Sequence, residues 1–296
     1  MSETSDVTAF AERRFTSADG LSLFARDRAG VDGPARLPVI AIHGLTRNSA
    51  DFEGVAPRIA DMGRRVISVD VRGRGRSDRA PDPMSYTPPV YAQDVLALMD
   101  QAGIGRAIFL GTSMGGLITM AVAATASERV AGSILNDIGP EVAPEGLARI
   151  AAYAGQKVEI ESWDDAAAYA RRINQGALPH YDEADWMAFA RRTFREGPEG
   201  VPALDYDPDI SAPIRAAGKD ALVPDLWPAF RNLAEGRPTL LIRGATSDLL
   251  SPAIAERMQA EAPELKRVDI PAIGHAPMLD EPESWAAIER FLSDAP

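Results

Sequence analysis

Residues 111–115 read Gly-Thr-Ser-Met-Gly, with Ser113 flanked at two positions on either side by Gly111 and Gly115. Residues 106–110, which are apolar after Arg106, predict a buried strand before this stretch, and residues 117–126, rich in small side chains, predict a helix after it. A serine at such a strand-to-helix corner is exposed on a sharp, strained turn that needs glycine around it. The spacing therefore predicts Ser113 as a nucleophile, which needs a base, a carboxylate and oxyanion donors from elsewhere in the chain.

Only three histidines can supply the base: His43, His180 and His275. His275 follows a predicted strand on a glycine-flanked loop, so we expect it to activate Ser113. His180 lies in a region without a core strand to fix it. His43 ends an apolar run and precedes Gly44, so we expect it mainly to shape the oxyanion loop and retain it as a candidate substrate contact.

A histidine base needs a carboxylate to fix its tautomer and stabilise the imidazolium. Asp248 follows the predicted strand 238–243, and the chain order Ser113, Asp248, His275 is that of nucleophile, acid and base. Asp137 is the alternative, because it follows the predicted strand 130–135 and could reach the same histidine. We expect Asp248 to be the acid.

Acyl transfer also needs two backbone donors for the developing oxyanion. The N–H of Met114, directly after the nucleophile, is one candidate. The N–H of Leu45, after His43-Gly44, is the other.

The elements that position these residues alternate between strand and helix. Strands are predicted at residues 9–16, 21–27, 37–42, 65–69, 106–110, 130–135, 238–243 and 265–270, and core helices at 55–62, 90–101, 117–126, 252–262 and 283–292. The alternation predicts an α/β fold with a mostly parallel sheet, in which ligands bind beyond the carboxyl ends of the strands. The loops that begin at His43, Asp70, Ser113 and Asn136 should then share one edge.

The pattern changes after Pro140, where helices are predicted at 144–154, 163–175 and 182–195 and prolines interrupt residues 198–228. We therefore divide the chain into a core, residues 1–139 and 232–296, and an inserted helical lid, residues 140–231. The lid is rich in aromatic residues, which suggests a hydrophobic or aromatic substrate. Trp163 and Trp186 are its candidate substrate contacts.

Five pieces of this sequence, in this order, resemble the α/β-hydrolase superfamily: His43-Gly44, the segment 70–78, the corner 111–116, Asp248 and Gly274-His275. The resemblance covers residues 9–292 and implies an eight-stranded, mostly parallel sheet flanked by helices, with an inserted lid. It also implies that segment 70–78 is a structural loop in which Arg72 ties loops together.

Within that superfamily a serine nucleophile is typical of carboxylesterases and of the hydrolases that cleave carbon–carbon bonds in ring-fission products, which this sequence resembles. Dehalogenases and epoxide hydrolases have an aspartate nucleophile instead. We expect an ester hydrolase that forms an acyl-enzyme on Ser113 and needs no metal or organic cofactor. A carbon–carbon hydrolase, a lactonase and an amidase remain alternatives with the same triad. A cofactor-free dioxygenase and a non-catalytic ligand receptor are alternatives of another class.

The composition limits the partners and the compartment. There is no cysteine, which excludes disulfides and thiolate chemistry, and the net charge of −12 disfavours nucleic acid. The N-terminus lacks the pattern of a signal peptide, and no apolar run is long enough to span a bilayer. We expect a cytoplasmic protein that binds a small-molecule substrate and neither nucleic acid nor membrane. The sequence does not indicate the oligomeric state.

Overall fold

The computed structural model describes residues 10–33, 36–217 and 225–296. Residue 9 of the first predicted strand and residues 218–224 of the predicted lid lie outside this range. Ten strands are described: β1 Ala11–Thr16, β2 Ser22–Arg28, β3 Val39–Ile42, β4 Val66–Asp70, β5 Ala107–Thr112, β6 Val130–Asn136, β7 Phe194–Glu196, β8 Pro202–Leu204, β9 Thr239–Gly244 and β10 Lys266–Ile270.

Eight of the strands form one sheet in the order β1-β2-β4-β3-β5-β6-β9-β10. The hairpin β1–β2 and the pair β2–β4 are antiparallel, and the remaining pairs are parallel. This confirms the predicted α/β class and the mostly parallel eight-stranded sheet. The inner strands β3, β4, β5, β6 and β9 are buried at every position apart from Thr112, as parallel strands covered on both faces should be.

The described helices are α1 Ala56–Asp61, α2 Pro88–Gln101, α3 Met114–Thr125, α4 Pro144–Tyr153, α5 Trp163–Asn174, α6 Glu183–Thr193, α7 Ala212–Ala217, α8 Trp227–Ala234, α9 Pro252–Glu261 and α10 Pro282–Asp294. Proline at the first helical position begins α2, α4, α9 and α10, where its missing N–H costs nothing. Among the described residues, none of these helices is both long and apolar enough to cross a membrane.

Two apolar clusters cover the two faces of the sheet. One contains the inner faces of α2 and α3, and the other contains α1 and α10. The cluster of α2 and α3 also takes Trp227 and Phe230 from α8, and Asn232 donates from its side chain to the carbonyl of Ala123 on α3. The predicted lid boundary at residue 231 therefore falls inside a helix that packs on the core.

The segment between β6 and α8 carries α4 to α7 and the small antiparallel pair β7–β8. Two backbone hydrogen bonds join it to the loop after β4: Gly75 N–H donates to the Asp205 carbonyl, and Asp207 N–H to that of Gly73. As the resemblance implied, segment 70–78 is a structural loop. Arg72 forms a bidentate pair with Asp94 and also contacts Asp19, so it ties β4, α2 and the β1–β2 turn together.

Candidate active site

Ser113 occupies a strained corner between β5 and α3. Its φ of 52° lies in a region that L-residues rarely adopt, and α3 begins at the next residue. A β-carbon at Gly111 would lie 2.5 Å from backbone atoms of Gly115, and one at Gly115 would lie 2.0 Å from the carbonyl oxygen of Ile42. The two glycines are thus required for β3, β5 and α3 to meet at this corner.

His275 lies beside the serine, as predicted. Its Nε2 is 2.9 Å from Oγ of Ser113, and the side chain is 8% exposed. The residue follows β10, and the N–H of the preceding Gly274 donates to the carbonyl of Ala177 in the inserted segment. The imidazole can therefore accept the serine proton at the edge of the sheet.

The carboxylate next to His275 belongs to Asp137. Its Oδ2 lies 2.8 Å from Nδ1 of His275, and the side chain is fully buried at the end of β6. Three further contacts fix it: Gly244 N–H donates to Oδ1 over 2.8 Å, the Ser247 hydroxyl donates to Oδ2 over 2.6 Å, and Asp137 N–H donates to the Ile242 carbonyl. The alternative acid of the sequence analysis is thus the one in contact with the histidine.

The expected acid, Asp248, points elsewhere. Both of its oxygens accept from Arg149 on α4, at 2.5 and 2.8 Å, and its side chain is 35% exposed. Hydrogen bonds from Arg149 lower the pKa of Asp248 and so favour the ionised form that keeps this pair together. Asp248 therefore does not contact His275 as expected, because Arg149 of the inserted segment binds its carboxylate.

The two expected oxyanion residues flank the nucleophile. Leu45 and Ser113 line one cleft, and a β-carbon at Gly44 would be 3.7 Å from Cβ of Ser113. Met114 begins α3, so its N–H precedes the hydrogen-bonded part of the helix. In the part of the chain that the structure describes, neither the N–H of Leu45 nor that of Met114 has a protein acceptor.

A buried arginine that the sequence analysis did not single out supports both residues. Arg74, 1% exposed, donates from Nε to the carbonyl of Leu45 over 3.0 Å and lies 3.6 Å from Sδ of Met114 through Nη2. Its Nη1 donates to the Tyr91 hydroxyl and the Arg72 carbonyl. Within residues 10–33, 36–217 and 225–296 it forms no ion pair with a carboxylate, so all its hydrogen bonds go to neutral groups around Leu45 and Met114.

His43 contacts the same loop, which begins at Gly44, through its side chain. It is fully buried, and burial lowers its pKa to about 3, so the ring is neutral at ordinary pH. Nδ1 lies 2.7 Å from the Gly44 carbonyl, and Nε2 accepts from Val71 N–H over 3.1 Å. These two bonds fix the tautomer and give His43 the expected role in shaping the loop, whereas its use as a substrate contact is not supported.

A partly open cleft lies over Ser113 and His275. Neither expected lid tryptophan lines it: Trp186 is buried against Tyr181 and Phe189, and Trp163 packs under the guanidinium of Arg191. The residues that do line it include both apolar and polar side chains: Leu45, Arg47, Asp51, Phe52, Ile150, Tyr153, Asn174, Leu178, Phe189, Pro277, Met278 and Leu279. No sequence pattern indicates these contacts beyond their position in the chain, since helix rotation decides which residues face the cleft.

Comparison with known proteins agrees with this architecture. Residues 38–153 match the sequence model of the alpha/beta hydrolase fold. A 3-hydroxybutyrate-oligomer hydrolase from Cupriavidus necator is 34% identical over 285 residues, which cover 94% of this chain and 96% of that protein. The chain belongs to the α/β-hydrolase superfamily.

Two further members of the superfamily are similar over most of their length. An esterase from Escherichia coli is 30% identical over 264 residues, which cover 87% of this chain and 93% of the esterase. The crystal structure of an α/β-hydrolase from Novosphingobium aromaticivorans is 46% identical, superposes with a TM-score of 0.89, and covers 96% of this chain and 98% of its own. The chain therefore shares its overall architecture with a solved α/β-hydrolase.

Proposed function

We propose that this α/β-hydrolase is a serine hydrolase that cleaves an ester bond in a small molecule through an acyl-enzyme on Ser113. The observation that carries the proposal is the continuous row of short contacts Ser113–His275–Asp137, of which Ser113 and His275 line the cleft. A row of nucleophile, base and oriented carboxylate is the arrangement that lets serine act at neutral pH.

In the acylation step His275 Nε2 takes the proton of Ser113 as Oγ attacks the ester carbonyl. The carbonyl oxygen becomes an oxyanion that accepts from the N–H groups of Leu45 and Met114. When the tetrahedral intermediate collapses, the carbon–oxygen bond to the alcohol breaks, and His275 returns the proton to the leaving alkoxide. The products of this step are the free alcohol and the Ser113 ester.

In the second half water replaces the alcohol. His275 removes a proton from the water, the hydroxide attacks the Ser113 ester, and the proton passes back to Oγ as the acid leaves. Asp137 keeps the Nδ1 proton on the far side of the ring and offsets the positive charge of the imidazolium. The overall reaction converts one ester and one water into one acid and one alcohol.

The inserted segment, predicted as a lid over residues 140–231, acts in this proposal as a cap on the cleft. Ile150, Tyr153, Leu178 and Phe189 bring it to the cleft that holds Ser113. The apolar part of this lining favours substrates with a hydrophobic portion next to the ester. The similarity to a hydrolase of 3-hydroxybutyrate oligomers and to an esterase supports an ester as the bond that is cleaved.

Labelling with a fluorophosphonate probe, followed by peptide mapping and a panel of p-nitrophenyl esters, tests the proposal. We expect the phosphonyl adduct on Ser113, and the Ser113→Ala variant should neither label nor turn over esters while it keeps the melting temperature of the wild type. A folded wild-type protein that does not label at Ser113 would contradict the nucleophile. Ligand binding without turnover, or oxygen uptake with an aromatic substrate, would place the protein with the receptors or the dioxygenases instead.

A further inference from the structure

Arg47 lies two residues after Leu45 and is fixed on three sides. Its backbone N–H donates to the Gly44 carbonyl over 3.2 Å, which ties it to the oxyanion loop. Nε and Nη2 both donate to Oδ1 of Asp51, and the guanidinium carbon lies 3.9 Å from the ring centroid of Phe189 on α6. One edge and one face of the guanidinium are therefore occupied.

The remaining edge of this guanidinium is unused. Across residues 10–33, 36–217 and 225–296, Nη1 of Arg47 has no hydrogen-bond partner, although the side chain is only 14% exposed. Arg47 lines the cleft over Ser113 and also a second, small cavity that continues under the inserted segment. The free Nη1 donors are thus held, already oriented, where the two cavities meet.

Tyr153, at the end of α4, stands at the same junction and lines both cavities. Burial raises its pKa, while the nearby guanidiniums of Arg149 and Arg47 act in the opposite direction. The phenol therefore keeps its proton at neutral pH and can donate. A phenol and the free edge of a planar guanidinium are donors of the types that bind the two oxygens of a carboxylate.

The ion pairs around this junction favour a ligand with one negative charge over a ligand with two. Arg47 is compensated by Asp51 and Arg149 by Asp248, so a dianion such as a phosphate monoester would face two carboxylates without an excess of cations. A monovalent carboxylate needs only the unused donors, since a guanidinium can bind one carboxylate on each edge.

We propose that Arg47 and Tyr153 form a carboxylate-binding subsite, so that the preferred substrates are small esters that carry a free carboxylate. This inference rests on the proposed ester hydrolysis at Ser113 and names its substrate class. The ester carbonyl lies at Ser113 and the carboxylate at the junction of the cavities, on either the acyl or the alcohol portion of the substrate.

Two pairs of substrates that differ only in a charged or neutral end group test this subsite. The first pair places the group on the acyl side: the mono-4-nitrophenyl ester of adipic acid and the 4-nitrophenyl ester of its monoamide. The second pair places it on the alcohol side: the acetate esters of 4-hydroxybutanoate and 4-hydroxybutanamide, followed by pH-stat. In at least one pair we expect kcat/KM to be about tenfold or more higher for the carboxylate, in the range of a charge-assisted hydrogen bond.

The Arg47→Gln variant should lower this ratio to about one, because glutamine keeps polarity but not charge or the guanidinium edge. The ratio is the readout because damage to the oxyanion loop lowers both members of a pair alike. The Arg191→Gln variant is the matched control: it removes a guanidinium from α6 that stacks on Trp163 and does not line the cleft, so the ratio should stay at the wild-type value.

Ratios near or below one in both wild-type pairs, or a ratio that Arg47→Gln does not reduce, would overturn the subsite. Either result with Ser113 still labelled and esters still cleaved would leave the proposed function standing. Loss of labelling and of all ester turnover in the wild type would instead overturn the proposed function itself.

Discussion

Asp137 and His275 lie 138 positions apart in the chain, yet Oδ2 of one is 2.8 Å from Nδ1 of the other. The contact forms because β6, β9 and β10 are consecutive parallel strands, so the residues after β6 and β10 meet at one edge of the sheet. Gly244 at the end of β9 donates to the second oxygen of Asp137. The carboxylate is therefore held by the sheet edge itself. Asp248, by contrast, is held by the inserted segment through Arg149.

Gly115 allows β3 and α3 to approach closely, so a larger residue there should destabilise the fold. The Gly115→Ala variant should lose about 2–3 kcal/mol in the free energy of unfolding, because overpacking displaces backbone that cannot yield easily. The new β-carbon would be 2.0 Å from the carbonyl oxygen of Ile42. Urea denaturation followed by fluorescence measures the loss.

Gly105→Ala is the matched control, since a β-carbon at Gly105 has no atom within 4 Å. We expect its free energy of unfolding to stay within about 0.5 kcal/mol of the wild type. Equal losses in the two variants would show that close packing at the corner does not limit stability.

Arg74 supports both proposed oxyanion donors, so its removal should affect the rate more than binding. In the Arg74→Gln variant we expect kcat on p-nitrophenyl butyrate to fall about 10–100-fold, with KM changed less than threefold, since oxyanion stabilisation acts in the transition state. Steady-state kinetics on protein whose melting temperature has been checked will measure both constants.

The control for Arg74→Gln is the Arg76→Gln variant, which removes a half-exposed arginine that pairs with Glu12. Its kcat should stay within about twofold of the wild type, because exposed ion pairs contribute little. A rise in KM at constant kcat in Arg74→Gln would contradict a role for Arg74 at the oxyanion loop.

Asp205 should make the stability of the protein depend on pH. Burial raises its pKa to about 6 from an ordinary value of 3.8, while its Oδ2 accepts from Asn48. Because the folded protein disfavours the ionised form, the contribution of Asp205 to stability is full below about pH 4 and is lost as the pH rises through 6. The loss is at most about 3 kcal/mol.

The Asp205→Asn variant removes this titration and keeps a side chain that can accept from Asn48. The stability of the variant relative to the wild type should therefore increase between pH 4 and pH 6.5 and stay constant above. Free energies of unfolding at intervals of half a pH unit measure the difference. A difference that is constant over this range would show that Asp205 does not titrate as described.

Much of the fold can be predicted from local patterns in the sequence. Buried strands such as residues 39–42 are continuous apolar runs, and the glycines around Ser113 leave few conformations for that corner, so the sheet, Ser113 and His275 were predictable. These features depend on neighbours in the chain, which the sequence displays directly.

The features that were predicted wrongly depend on distant partners. Which aspartate faces His275 is decided by Arg149, 99 residues before Asp248, and by Gly244 and Ser247 around Asp137. Trp163, Trp186 and Phe189 are all aromatic, and of these three only Phe189 lines the cleft. The rotation of each helix, which decides this, is set by packing against distant residues. Because prolines interrupt residues 198–228, no helix was predicted there, although α8 begins at Trp227 and packs on the core.

The central claim is the row Ser113–His275–Asp137, and the most direct measurement compares kcat/KM of Asp137→Asn and Asp248→Asn on the same p-nitrophenyl ester. We predict a loss of about 10³–10⁴-fold for Asp137→Asn, because the histidine loses its tautomer and its counter-charge. For Asp248→Asn we predict a loss below about tenfold, because only the pair with Arg149 is weakened. A large loss for Asp248→Asn together with near-normal activity for Asp137→Asn would contradict the account.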